Sequence, residues 1–318
     1  MRQSVGRRSA TRVAVVAGLL AVALTAGACQ GDEAPPGPAA RGDTSVVVAS
    51  FSFPESGLLA EIYAQALEAA GVPVRREPDL GPRELVLPAL RQGLVDVVPE
   101  YLGTALATVA PGVDVDIRDV AAVRAALDRS LLRWGLRTLR PAAASNQNGL
   151  VVERTTARRL GLRSVSDLRP VARDLTLGMT PECPTRQYCL LGLRRVYGLT
   201  FGDALAFDTE SQRAQALDQQ VVDVALMFTT DGRLAVGDLV VLADDRNLQP
   251  AENVVPVVST RVVRRYGDRL VQTLERVSAR LTTANLVFLN WRVSVAGKDV
   301  AGEARGWLRR HDLLTPSR

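Results

Sequence analysis

The sequence contains few of the side chains on which most hydrolytic and metal-dependent enzymes rely. It has one histidine, His311, together with three cysteines and an aromatic content of only 4%. It shows no nucleophile elbow, no Ser/His/Asp set and no His/Cys cluster with the spacing of metal ligands. We therefore expect no catalytic residue, no metal and no cofactor. An enzyme on a two-lobed fold is the less favoured alternative.

Basic charge is concentrated at the N-terminal end of the chain. The formal net charge is +5 at pH 7. Four arginines and no acid precede the first apolar run: Arg2, Arg7, Arg8 and Arg12. Without residues 1–28 the charge is 5 − 4 = +1. Because the rest of the chain shows no basic face with interleaved aromatic residues, we do not expect nucleic acid as a partner.

An apolar run, Val13–Leu24, follows these arginines and leads into the small-residue segment TAGAC, which ends at Cys29. The run is too short to cross a membrane core, which takes about 20 residues, and the pattern is that of an export signal. Small residues before a cysteine are typical of bacterial lipoproteins. We predict that residues 1–28 are removed and that Cys29 is lipidated. The alternatives are ordinary cleavage, with Cys29 incidental, and twin-arginine export.

The segment after the lipidation site is poor in apolar residues. Residues 29–43 include QGDEAPPGPAARGD, which is rich in proline, glycine and small or charged residues. Such a composition favours a flexible tether over a packed domain. We therefore expect an exported monomer that its N-terminal lipid holds at the outer face of the cytoplasmic membrane.

The two remaining cysteines, Cys183 and Cys189, stand close together in PECPTRQYCL. In an oxidising compartment this spacing suits a short disulfide-closed loop. A metal site would need further His, Cys or carboxylate ligands nearby. We predict that Cys183 and Cys189 form a disulfide.

Short β-type runs alternate with longer amphipathic runs in the remaining chain. The pattern predicts a strand over Thr44–Ala49, a helix over Leu58–Ala70 and a strand over Val72–Arg76. This βαβ order indicates a mainly parallel sheet, with ligands bound at the carboxyl ends of its strands. About 275 residues are enough for two α/β lobes of ordinary size.

One motif occurs twice. Residues 89–97 and 216–224 share the pattern A-L-x-Q-x-x-V-D-V, which predicts a helix end, a turn and a buried strand in both places. An aromatic residue follows each strand, Tyr101 in PEYLGT and Phe228 in MFTTDG. Two similar half-structures would each present one aromatic ring to a ligand held between two lobes. Chance similarity of two helix–strand junctions is the alternative.

Several segments in this order resemble the glycine betaine/choline/carnitine-binding proteins of osmoprotectant ABC importers: SFSFPESGLLAEIYAQAL, ALRQGLVDVVPEYLGTAL, SVSDL, TPECPTRQYCLLGLRRVYGLTF and MFTTDG. The resemblance implies an α/β, two-lobed type II periplasmic-binding-protein fold with two hinge crossovers, near 145–151 and 253–258. Lobe one would comprise residues 44–145 and 256–318, and lobe two residues 146–255.

The resemblance also implies an aromatic cage for a quaternary ammonium group, whose cation the face of an aromatic ring attracts. Tyr101 matches one cage tyrosine, and Phe228 stands where another is usual; packing in the core is the alternative for both rings. Asn148 replaces a further tyrosine, and Glu252 lies near a fourth cage position. We expect the Glu252 carboxylate to balance the cation there, although an exposed loop acid is the alternative.

For a ligand carboxylate the resemblance favours Arg186, at the arginine of the family's E-x-x-x-R element, and Thr104. Arg186 is a surface arginine in the alternative interpretation, and Thr104 a helix-capping residue. Phe51 and Ser56 fall in the first loop over the cleft, where the family often carries Lys and Gln. The loss of that positive charge broadens the expected ligand to a cationic or zwitterionic amine such as glycine betaine or choline.

The partners that follow from this resemblance are the small amine or betaine ligand, an ABC permease and its ATPase. A sensory or adaptor module that binds ligand and signals to a membrane partner is the alternative of a different class.

Overall fold

The computed structural model describes residues 44–314. The predictions for residues 1–43, including the signal peptide, lipidated Cys29 and the tether, lie outside the described residues. Within 44–314, no helix has both the length and the apolar character needed to cross a membrane.

The strands of the described chain form two sheets of five strands each, with the orders β2-β1-β3-β10-β4 and β7-β6-β8-β5-β9. The strands are β1 Val46–Ala49, β2 Val74–Glu77, β3 Val97–Tyr101, β4 Leu136–Thr138, β5 Asn148–Glu153, β6 Thr176–Met179, β7 Asp203–Ala206, β8 Val224–Phe228, β9 Leu239–Val241 and β10 Val254–Ser259. The first sheet thus combines early strands with β10, so the chain leaves it after β4 and returns after β9.

Helices cover the sheets. They are α1 Pro54–Ala69, α2 Arg83–Arg91, α3 Leu102–Val109, α4 Val120–Leu132, α5 Arg154–Leu160, α6 Leu190–Gly192, α7 Glu210–Asp218, α8 Thr260–Ser278, α9 Thr283–Asn290 and α10 Val300–Arg310. Single 3₁₀ or π turns lie at Val165–Leu168, Ala172–Asp174, Cys183–Thr185, Leu193–Tyr197, Gly232–Ala235 and Trp291–Val295.

The βαβ pattern had indicated a mainly parallel sheet, and this prediction is wrong, because both sheets are mixed. β1 pairs in parallel with β2 and β3, but β10 runs antiparallel to β3 and β4. In the second sheet β5 runs antiparallel to β8 and β9. The reason is topological, because β5 and β10 follow the two crossings between sheets and enter from the opposite direction.

The crossing segments lie side by side between the two sheets. Ser145 and Asn253 form an antiparallel bridge there. The Asn146 amide donates to the Glu252 carbonyl (3.0 Å). Since only these paired segments join the sheets covalently, they are suited to act as a hinge.

Each sheet buries apolar side chains on both faces. In the first lobe, α1, α8, α9 and α10 cover one face around Trp307, and α2, α3 and α4 cover the other. The second sheet has its own two clusters, the larger of which includes the two cysteines. Each lobe therefore has hydrophobic clusters of its own.

The predicted helix begins earlier than expected, at Pro54 instead of Leu58. Proline is compatible with the first helical position because that residue's amide has no partner within the helix. The earlier start matters because it places Glu55 in the first turn, at the carboxyl edge of the first sheet.

The two copies of the repeated motif fold alike. The Asp96 amide donates to the Val47 carbonyl (2.8 Å), and its carboxylate accepts from the Val47 amide (3.2 Å). Asp223 makes the same pair of bonds with Thr176, at 3.0 and 2.9 Å. Each aspartate thus fixes the start of a central strand against its parallel neighbour, so Tyr101 and Phe228 occupy equivalent strand ends.

The turn residue of the repeat offers a stability test. Gly93 has φ = 72° and its counterpart Gln220 has φ = 57°. A left-handed conformation costs a non-glycine residue about 1–2 kcal/mol, part of which glycine's flexibility in the unfolded chain offsets. We expect Gln220→Gly to raise the free energy of unfolding in urea by about 0.5–1 kcal/mol. The reciprocal Gly93→Gln should lower it, and a less stable Gln220→Gly protein would contradict this account.

Candidate functional site

Aromatic rings from both lobes meet at the carboxyl ends of the central strands. The Phe53 ring lies 6.0 Å from the Tyr101 ring and 5.7 Å from the Phe228 ring, centroid to centroid, with tilts of 36° and 37°. Phe53 precedes α1 of the first lobe, and Phe228 ends β8 of the second. This cluster, Phe53, Tyr101 and Phe228, is the part of the described chain that best fits an aromatic cage.

Phe53 was missed by the sequence analysis, which expected Tyr101 and Phe228 each to present a ring to a ligand between the lobes. The two strand-end rings instead contact Phe53 between them. The sequence did contain a signal for Phe53, since the segment SFSFPES carries a second phenylalanine two positions after Phe51. These two side chains differ in exposure, with Phe51 buried and Phe53 only half-buried.

Phe51 and Ser56 lie beneath this cluster. Phe51 is 3% exposed, stacks on Phe53 (6.0 Å, 5° between ring planes) and has the Arg83 guanidinium 5.2 Å from its ring centroid. The Ser56 hydroxyl accepts from the Phe51 amide (2.9 Å). In this structure both residues support the Phe53 ring from within the first lobe.

A buried carboxylate, Glu55, joins the cluster to the second lobe. Its Oε1 accepts from the Tyr101 hydroxyl (2.7 Å) and from Asn146 Nδ2 (2.8 Å), and its Oε2 accepts from Asn290 Nδ2 (2.6 Å). Asn290 Nδ2 also donates to the Thr230 carbonyl (2.8 Å). Burial and the Glu55 carboxylate together raise the pKa of the Tyr101 hydroxyl well above its usual value.

The lobes also touch through backbone. An added Cβ at Gly232, just after Thr230, would lie 2.2 Å from the Trp291 nitrogen and 2.3 Å from the Trp291 Cα. The turn that follows β8 therefore packs directly on the end of α9, in a contact where only glycine fits.

Glu252 is buried, and the exposed-loop interpretation is wrong. The residue is 3% exposed; its Oε1 accepts from the Thr104 amide (3.0 Å) and its Oε2 from the Gly103 amide (3.2 Å). The Thr104 hydroxyl also donates to Oε2 (3.4 Å). Burial raises the pKa of Glu252 to about 8, against the nearby Arg83 charge and the α3 amides. Thr104 and Glu252 thus bind each other at the start of α3.

Arg83 is a second cation of the site that the sequence analysis missed. Its guanidinium forms a bidentate pair with Glu100, with both N–O distances at 2.9 Å. The Glu100 carboxylate also accepts from the Tyr101 amide (2.9 Å), just as Glu210 accepts from the Phe228 amide (2.9 Å). A carboxylate therefore holds the backbone of each strand-end aromatic residue.

Glu210 lies in an acidic environment behind Phe228. Burial and the neighbouring Asp231 carboxylate raise the pKa of Glu210 to about 8. Buried Arg213 donates to the carbonyls of Leu226 (2.7 Å) and Phe207 (3.2 Å). These groups brace the end of β8, and of them only Asp231, in MFTTDG, belongs to a motif quoted from the sequence.

Cys183 and Cys189 form the predicted disulfide. The loop that it closes carries Arg186, whose guanidinium pairs with Glu84 of α2 in the first lobe. The Arg186 side chain is 42% exposed, so it lies at the rim of the cleft and bridges the two lobes.

Asn148 is not part of the aromatic cluster. It is opposite Phe228 in the β5–β8 pair, and its Nδ2 donates to the Tyr188 carbonyl (3.4 Å). Both residues line a cavity of about 20 Å³ inside the second lobe, large enough for a water molecule only. Tyr188 is half-buried, and its burial and the Glu252 charge raise the pKa of its hydroxyl.

His, Cys, Asp and Glu side chains within residues 44–314 do not form a group of three or more that is arranged to hold a metal ion. What the site offers is aromatic faces, buried carboxylates and a rim arginine. This is chemistry for holding a small ligand with a cationic part.

Comparison with known proteins agrees with this geometry. Residues 44–310 match the family described as the substrate binding domain of ABC-type glycine betaine transport system. The chain is 32% identical over 276 residues to the glycine-betaine-binding protein of Pseudomonas aeruginosa, covering 83% of this chain and 86% of that protein. It is 28% identical over 279 residues to the glycine betaine-binding protein YehZ of Escherichia coli K12, covering 83% and 90%.

A solved structure shares the fold. The crystal structure of a glycine betaine/carnitine/choline ABC transporter superposes with a TM-score of 0.73 at 24% identity, over 85% of this chain and 100% of that chain. The predicted two-lobed type II periplasmic-binding-protein fold is thereby confirmed. The chain belongs to the family of substrate-binding domains of ABC-type glycine betaine transport systems.

Proposed function

We propose that this protein captures a betaine-type or related quaternary-amine ligand outside the cytoplasmic membrane and delivers it to the permease and ATPase of an ABC importer. The observation that carries the proposal is the meeting of Phe53, Tyr101 and Phe228 from the two lobes beside the buried Glu55 carboxylate. A quaternary ammonium cannot donate a conventional hydrogen bond. Aromatic faces attract it instead, by about 0.5–2 kcal/mol each.

The relatives support this ligand class. They are named for glycine betaine and, more distantly, for carnitine. Glycine betaine, carnitine and choline share a trimethylammonium head and differ in whether a carboxylate accompanies it. We infer that the head lies against the aromatic cluster, which parts to admit it. Tyr188 and Asn148 bound the second-lobe side and Thr104 the first-lobe side, where Glu252 of the second crossing segment lies against it.

Calorimetric titration of the purified fragment 30–318 with glycine betaine, choline and carnitine tests this function. A ligand at 100 times its dissociation constant should also add about 2.7 kcal/mol to the free energy of unfolding. Neutral alcohols and amides of similar size are the matched controls. No binding and no stabilisation by any of the three amines would overturn the proposal.

Substitution of Arg186 tests how the protein binds the carboxylate end of a ligand such as glycine betaine. If the Arg186 guanidinium exchanges Glu84 for a ligand carboxylate, Arg186→Ala should lower the affinity for glycine betaine about three- to tenfold and leave the affinity for choline unchanged. Glu84→Ala is the control, because it removes the same exposed ion pair, worth at most about 1 kcal/mol, without removing the arginine. Equal losses for both ligands in both variants would identify Arg186 as a link between lobes only.

The proposal extends to where the chain is located and to how it divides into a signal peptide, a tether and two lobes. We infer that residues 1–28 form a signal peptide, that Cys29 carries a lipid and that residues 29–43 tether a monomer whose lobes are 44–145 with 256–318, and 146–255. The protein acts by binding and release rather than by catalysis.

Labelled fatty acid should be incorporated by the full chain in a bacterial host but not by Cys29→Ser. Equal labelling of the full chain and of Cys29→Ser would contradict the proposal that Cys29 carries the lipid.

A further inference from the structure

The Glu55 carboxylate is buried without a compensating cation. Within residues 44–314 it forms no ion pair with an arginine or lysine, and its partners are the neutral donors of Tyr101, Asn146 and Asn290. The neighbouring buried acid Glu100, by contrast, is matched by Arg83. A buried charge normally requires a partner, because leaving water is costly. Among the acids described above, Glu55 is the one that accepts a hydrogen bond from the side chain of a cluster residue, the Tyr101 hydroxyl.

The Tyr101 hydroxyl donates to this carboxylate over 2.7 Å, and the Tyr101 ring contacts Phe53 in the cleft. A hydrogen bond to a charged acceptor is roughly twice as strong as a neutral one. Such a bond shifts electron density from the hydroxyl into the phenol ring, and a more electron-rich face attracts a cation more strongly. Phe228, at the equivalent strand end, has no hydroxyl through which a carboxylate could act.

We propose that Glu55 is a specificity-determining positioning residue, which through the Tyr101 hydroxyl makes the Tyr101 ring select a cationic head group over a neutral one of the same shape. The inference rests on the proposed function, because it needs the ligand head to lie against Tyr101. Glu55 itself acts through Tyr101 and the bonds that orient it.

The bond from Asn290 gives the proposal a matched control. Asn290 donates to Glu55 and to the Thr230 carbonyl of the second lobe, but it does not bond to Tyr101. Removing it weakens the contact between lobes while leaving the Tyr101–Glu55 bond in place. An effect on lobe contact should change affinity for every ligand alike, whereas an effect on the ring should depend on ligand charge.

The experiment uses two pairs of ligands that differ in charge but not in shape. They are choline with 3,3-dimethylbutan-1-ol, and glycine betaine with 3,3-dimethylbutanoate, in which carbon replaces the nitrogen. Dissociation constants measured by calorimetry give a ratio, neutral-headed over cationic, for each variant. Glu55→Gln and Tyr101→Phe should each lower this ratio about three- to tenfold, and the double variant no further. Asn290→Ala should raise both dissociation constants and leave the ratio unchanged.

An unchanged ratio in Tyr101→Phe overturns the inference even if Glu55→Gln fails to fold, since removing one hydroxyl is the milder change. Losses in the two single variants that simply multiply in the double variant also overturn it, because Glu55 would then not act through Tyr101. Wild-type protein that binds neither choline nor glycine betaine overturns the proposed function, and this inference with it.

Discussion

Phe53→Ala is expected to lower the affinity for a quaternary ammonium ligand by about 1–3 kcal/mol, roughly 5- to 150-fold. The reason is that the Phe53 ring touches the rings of both Tyr101 and Phe228, so its loss removes the contact between the aromatic residues of the two lobes. Its half-buried position predicts a smaller cost to folding. Calorimetric titration with choline or glycine betaine, alongside urea unfolding, separates the two effects.

Tyr101→Ala is the comparison for that result. Tyr101 is 5% exposed and packs in the core beside α1, so truncation should cost about 3–5 kcal/mol of stability in addition to affinity. If Phe53→Ala bound ligand like the wild type, the aromatic cluster would not be the ligand site.

Gly232→Ala is expected to reduce affinity more than tenfold while both lobes stay folded. The added Cβ would lie 2.2 to 2.7 Å from backbone atoms of Asn290 and Trp291, and backbone cannot rotate away as a flexible side chain can. The lobes must therefore separate at this point, which opposes closure over a ligand. Small-angle scattering should show a larger radius of gyration in the presence of ligand than for the wild type.

Gly57→Ala is the matched control for this substitution. Gly57 lies within α1, and an added Cβ there meets nothing within 4 Å. Alanine at an interior helix position is favoured over glycine by up to about 1 kcal/mol, so this variant should be slightly more stable and bind normally. Wild-type affinity in Gly232→Ala would show that the turn can yield, and that the contact does not control closure.

Much of the architecture could be predicted from local patterns. Alternation and helical periodicity located β1, α1 and β2 to within a few residues, because local hydrophobic spacing is a direct consequence of one buried face. The repeated A-L-x-Q-x-x-V-D-V motif correctly indicated equivalent strands, since its aspartate makes the same backbone bonds in both lobes. The cysteine spacing predicted the disulfide because short loops bring two thiols together.

The candidate site was less predictable, because its contacts join residues far apart in sequence. Glu55 meets Tyr101, Asn146 and Asn290 only after four separate elements have packed together. Glu252, which the resemblance placed near a ligand cation, lies against the first amides of α3. Neither local propensity nor spacing carries information on such partners.

The sequence by itself determined which residue types are available: few histidines, aromatic residues at two equivalent strand ends, and a pair of cysteines. Those choices depend on local hydrophobic pattern and on chemistry that each short segment carries alone. Only the tertiary structure decided that Phe53 lies between Tyr101 and Phe228, that Glu252 is buried and that Arg186 pairs with Glu84 across the cleft. These outcomes depend on how two separately folded lobes approach each other, and that approach is set by packing between distant segments.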